Sequence, residues 1–141
     1  METLGSLCDK LTIVKLKQYH SASYENRSVL KQQETNLKNE IDTYITDAVA
    51  GRIKLEVLSA PHCKVYSGEI PVTPITNIGE AFNRLARVNI SVWHLQEKVF
   101  GFEDVPEDKR VGVIKSIAVL NVERNDCIDA INAILIKRVQ E

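Results

Sequence analysis

Apolar residues return every three or four positions through four long stretches of this chain, and that interval is the repeat of one face of an α-helix. In the first stretch, from about Thr3 to His20, the line is Leu4, Leu7, Cys8, Leu11 and Val14, and Ile13 and Leu16 widen it until the helix needs cover on more than one side. Ser21 to Ser23 reads as a turn in which either serine can cap the next helix. This second helix extends from about Tyr24 to Ala50. It carries Leu30, Leu37, Ile41, Tyr44 and Ala48 on one face, with Gln32, Gln33, Glu34, Lys38 and Asn39 largely elsewhere, and Gly51 suits its C-terminal cap.

The next segment, Arg52 to Leu58, alternates like a strand but has no partner strand, so it is read as a short helix or a helical extension. From Ser59 to Thr76 the sequence holds three of the four prolines, which makes it the main loop. A connection of that length is a candidate lid or partner contact. Helix three starts near Asn77, where Asn77 and Glu80 imitate a capping box, and Gly101 ends it after Phe100. Its expected buried stripe is Phe82, Leu85, Asn89, Val92, Trp93, Gln96 and Val99. Pro106, Glu107 and Asp108 open a fourth helix, because a first turn tolerates proline and favours negative charge. That helix continues toward the C-terminus with Ile114, Ile117, Ala118, Asn121, Asn125, Ile128, Asn132 and Leu135 as its stripe.

The expected fold is therefore all-α: an antiparallel bundle of four to five helices with one long proline-containing loop, in a single domain spanning residues 1–141. A chain of 141 residues buries enough surface to need no metal or disulfide for stability. Lysine and arginine total 18 against 19 acidic residues, so the positive excess that drives nucleic-acid binding is missing. Cys8, Cys63 and Cys127 are an odd number without a CxxC pair, which fits a reducing cytoplasm better than a disulfide framework or a zinc ribbon. With no signal-like opening and no run of eighteen apolar residues, neither secretion nor a membrane span is expected.

Polar residues at inward positions carry the chemical interest. Asn89 and Gln96 on the third helix, and Asn121, Asn125 and Asn132 on the fourth, stand where apolar side chains would be usual. A buried amide without a partner costs about 1 to 3 kcal/mol, so these groups need one another, a charge, water or a ligand. Asp9, Ile13, Lys17 and His20 form a second row on helix one that could face the first. One reading is a hydrogen-bond network that fixes helix register. The other is a small-molecule pocket lined by Asp9, Lys10, Lys17, His20, Asn89, His94, Asn121, Arg124 and Asn125.

Other chemistries find less support. His62 and Cys63 have no second pair to complete a zinc site, and Trp93 at helical spacing reads as a core aromatic. Glu123 and Asp126 supply one carboxylate pair of the kind that clamps magnesium, but no ExxE precedes it on another helix. No metal site and no cofactor are expected.

Two segments, LARVNISVWHLQEKVFGFED and SIAVLNVERNDCIDAIN, resemble the bacterial family catalogued as domain of unknown function 4254. The matching residues are Asn89, Trp93, His94, Leu120, Asn121, Arg124, Asn125, Ile128 and Asp129, and the opening LCDKLTIVKLKQYH is similar through Asp9, Lys10, Lys17 and His20. The likeness implies an all-helical cytoplasmic protein of unassigned activity. Gln96-Glu97 stands where the family has an acidic pair, and Ala118 where an acid precedes the Leu-Asn, which weakens any metal-holding role there.

Two functions from different classes are expected. One is a non-enzymatic binding or assembly protein, a homodimer whose long last helix and proline-rich loop supply contact surface, with a possible small-molecule ligand. The alternative is a metal-dependent hydrolase or pyrophosphohydrolase acting on a nucleotide or another phosphorylated small molecule.

Overall fold

The local signals at the helix ends organise the chain as expected. The structure, a computed structural model, describes residues 2–58 and 75–141, so the loop assigned to lid or partner contact falls almost wholly outside the described residues. Helix α1 (Leu4–His20) starts at Thr3, whose hydroxyl accepts from the Ser6 N–H while the Ser6 hydroxyl accepts from the Thr3 N–H. Helix α2 (Tyr24–Val49) starts at Ser23, and beyond its end Gly51 takes a left-handed φ of 74°, a conformation that glycine adopts without a Cβ penalty. Residues Leu55–Leu58 form a single turn, α3, that drives Leu58 into the core. Helix α4 (Ile78–Phe100) is capped by Asn77, which accepts the Glu80 N–H at 2.8 Å. A 3-10 turn, Phe102–Asp104, then leads through Pro106 into α5 (Glu107–Gln140).

No strand occurs among the described residues, and the fold is an all-α bundle. No described helix is long and apolar enough to cross a membrane. The core joins Leu4 and Leu7 of α1, Tyr44 and Ala48 of α2, Leu58, Leu85 of α4 and Ile131 of α5. The central helix is α1, which packs on α2, α4 and α5, while α4 and α5 pair along a hairpin.

Its partners fix the directions. Gly5 meets Asn132 and Asp9 meets Arg124, so α1 and α5 are antiparallel; Asp9 and Thr12 meet Asn89 while His20 meets Trp93, so α1 and α4 are parallel. Helix α2, antiparallel to α1, leans principally on that one neighbour and leaves a groove on either side. Its sequence explains why: in 26 residues only Leu30, Glu34, Tyr44 and Ala48 are buried, a stripe wide enough for one partner.

Where α1 meets α5 the two backbones approach closely. A Cβ on Gly5 would collide with the Ile128 carbonyl oxygen, and the Gly5 N–H donates to Asn132 Oδ1 at 2.7 Å. One amide on α5 thus caps the first turn of α1, whose N–H groups have no partners within their own helix.

Length decides which parts of the expected stripes are covered. At 1.5 Å per residue, α1 spans about 25 Å and α5 about 51 Å. Since α1 ends level with Trp93, every buried residue of α4 lies at or before Val92, and every buried residue of α5 lies at or beyond Val122. The expectation that Gln96 and Val99 are buried is therefore corrected, as are those for Ile114 and Ala118: all four are exposed. Beyond the reach of α1, the ends of α4 and α5 form a two-helix arm.

Candidate functional site

Four side chains from three helices converge below the arm. Asp9, 7% exposed, accepts Arg124 Nε on Oδ1 at 2.8 Å and Nη2 on Oδ2 at 2.5 Å, a two-pronged geometry that the planar guanidinium favours. Asn89, 1% exposed, donates from Nδ2 to Asp9 Oδ1 at 2.9 Å and to Thr12 Oγ1 at 2.6 Å. Thr12 spends its own proton on the Asp9 carbonyl at 2.7 Å, so it can only accept from Asn89. That fixes the amide orientation and leaves the buried Asn89 Oδ1 without a donor among the described residues. The hydrogen bond with Asp9 holds the Arg124 guanidinium above its ordinary value, outweighing the opposing effect of burial.

Apart from Asn89 Oδ1, the buried polar groups of the constellation satisfy one another. The carboxylate and the guanidinium neutralise each other, and both amide protons of Asn89 are occupied. Such an arrangement specifies how three helices sit together and offers no free charge to a substrate.

The remaining sequence-predicted residues stand around it. Lys10 is exposed and pairs with Glu2. Lys17 is exposed at the edge of the α2–α5 groove. Asn125 is buried on α5, one residue beyond Arg124, whereas Asn121 is half-buried. His20 stacks on Trp93 with ring centroids 4.8 Å apart and planes 5° from parallel, and His94 meets the His20 edge at 6.3 Å. Both histidines are exposed, and Trp93, expected in the core, is half-buried with its indole N–H on Glu97 at 2.6 Å.

Two features escaped sequence reasoning. Thr12 joins the network because it lies three residues beyond Asp9 and so shares its helix face. Glu34, expected on the polar side of α2, is 8% exposed and accepts Gln18 Nε2 at 2.8 Å, with Lys15 at 3.6 Å and Lys31 at 3.5 Å. The hydrogen bond from Gln18, helped by the two lysines, holds its carboxyl below the ordinary value of 4.5. The signal was the interval: 30, 34, 37, 41, 44 and 48 form one unbroken line on which Glu34 is the single charge.

A groove of about 740 Å³ lies between α2 and α4 with α1 as its floor, and His20 and His94 stand at its edge. Leu11 and Leu16 line the floor, and Phe82, Ala86 and Ile90 form an inclined ridge on α4. Glu34 and Lys38 line the α2 side. Among the described residues no three His, Cys, Asp or Glu side chains form a group that could hold a metal ion. Burial raises the carboxyl of Asp126, the second member of the Glu123–Asp126 pair. Cys8 and Cys127 are free buried thiols, both raised to about 11 chiefly by burial.

No family model, curated protein or solved structure matches the chain.

Proposed function

We propose that this chain is a non-enzymatic helical assembly protein that pairs with a second copy of itself through the α4–α5 arm. The observation that supports this reading is an apolar stripe left uncovered on α5. The line 111, 114, 118, 121, 125, 128, 132, 135 advances by alternating threes and fours, the repeat of a helix seam. Asn125, Ile128, Asn132 and Leu135 on it are buried, whereas Val111 is 59% exposed and Ile114 55%. At the tip of the arm Phe100 is 89% exposed.

A second copy of the same arm, laid antiparallel, covers that stripe with its own. Asp108 and Lys115 flank the seam on one side and carry opposite charges, so a two-fold axis pairs each with the other's counterpart. The likeness to the uncharacterised helical family belongs to this reading as well, since Asp9, Asn89 and Arg124 carry part of it and also hold the network. A cytoplasmic location fits the free thiols of Cys8 and Cys127.

Light scattering on the full chain tests the pairing. The expected mass is twice 15.9 kDa, falling to 15.9 kDa in Ile114→Glu with its circular dichroism unchanged. A wild-type chain that stays at 15.9 kDa up to hundreds of micromolar overturns it.

A further inference from the structure

We infer that the groove between α1, α2 and α4 is a binding site for an anionic amphiphile: one unbranched apolar chain ending in a carboxylate. Its volume, about 740 Å³, falls within the range of small-molecule sites, and its walls are mainly apolar. The α4 ridge from Phe82 to His94 advances by one helical turn per residue and extends for about 18 Å along the axis. A trough of that shape fits an extended chain better than fused rings. Ile90 on the ridge is 45% exposed, so a chain laid along it removes apolar surface from water.

Charge around the groove selects the head group. Helix α1 contributes Lys15 and His20, the α2 side Glu34 and Lys38, and α4 contributes His94. Glu34 is the one carboxylate among them, and Lys15 and Lys31 both lie within 4 Å of it. Lys38 is exposed on the α2 rim and has no carboxylate partner among the described residues. The rim is therefore net positive where an amphiphile's head would emerge, and a cationic head meets repulsion there. Apart from His94, which follows Trp93 at the base of the arm, the site uses no residue of the arm, and it shares none with the α5 stripe proposed for self-association.

Trp93 is the sole tryptophan and stacks on His20 at the groove edge, so its emission reports occupancy. The full chain is titrated with laurate, dodecyl maltoside and dodecyltrimethylammonium, each below its micellar concentration, with calorimetry in parallel. Laurate is expected to saturate at one per chain and to bind at least tenfold tighter than the other two. Lys38→Glu is expected to weaken laurate at least tenfold while leaving the maltoside unchanged, and Ala86→Phe to block both by filling the groove. Ile114→Glu is expected to retain laurate. Absence of saturable laurate binding, equal affinity for the three heads, or undiminished binding by Ala86→Phe each overturns the assignment. So does an Ala86→Phe chain that turns from dimer to monomer without amphiphile, since the groove would then hold a second copy.

Discussion

Asp9 and Arg124, 115 positions apart in the chain, close a two-pronged ion pair that joins the first helix to the last. The carboxylate end is 9% exposed and the guanidinium end 32%, so the two partners are not equivalent. Removing Arg124 strands a buried charge, whereas removing Asp9 leaves a cation that can still reach water.

That asymmetry sets the expected order. Arg124→Ala should cost about 3 kcal/mol, near the lower end for breaking a buried pair, and Asp9→Ala should cost less. Urea denaturation of both single variants and the double variant checks it. A double variant that loses the full sum of the two shows that the pair is not coupled.

Gly5 predicts a backbone effect at the same helix contact. Gly5→Ala puts a Cβ onto the Ile128 carbonyl oxygen, and overpacking of this kind costs about 1 to 3 kcal/mol. Asn132→Ala removes the amide that accepts the Gly5 N–H and should cost about 1 to 2 kcal/mol. Thermal denaturation ranks the two, and a neutral Gly5→Ala would mean that α1 and α5 are farther apart.

Glu34 makes stability depend on acid pH. Its carboxyl is lowered in the folded state, so its contribution is complete above the unfolded value near 4.5 and disappears as pH falls through the folded value. Glu34→Gln should therefore lower the melting temperature at neutral pH by an amount that shrinks steadily in acid. A gap between wild type and variant that stays constant from pH 7 to pH 3 contradicts the arrangement with Gln18, Lys15 and Lys31.

The two buried thiols act at the alkaline end. Cys8 and Cys127 are raised from 9.0 to about 11, so they favour folding fully below pH 9 and lose that contribution as pH rises through about 11. At pH 8 both should alkylate far more slowly in the folded chain than in urea. Peptide mapping after iodoacetamide treatment reads each cysteine separately, and rapid native labelling of either would contradict its burial.

Much of this site is legible in the sequence. Asn89 and Arg124 occupy inward helical positions, and a polar group on such a face needs a partner. Which partner it finds was hidden, because spacing reports which residues share a face and not which face lies opposite. Lys17 and His20 continue the Asp9 row by spacing, yet both are exposed, so the row turns out toward solvent over the last turns of α1. Glu34 was legible in principle, but hydropathy alone sends a glutamate outward unless the position of Gln18 across the helix pair is known.

The sequence by itself determined the helices and their ends: Thr3, Ser23 and Asn77 cap over three residues, and Gly51 and Gly101 interrupt the helices before them. These are interactions within one turn, and local order carries them. Only the tertiary structure decided that α1 sits at the centre, that α2 leans on it with a groove at each side, and that α4 and α5 outrun it as an arm. Those outcomes depend on contacts more than a hundred residues apart, Gly5 with Asn132 and Asp9 with Arg124, whose geometry no periodicity along the chain encodes.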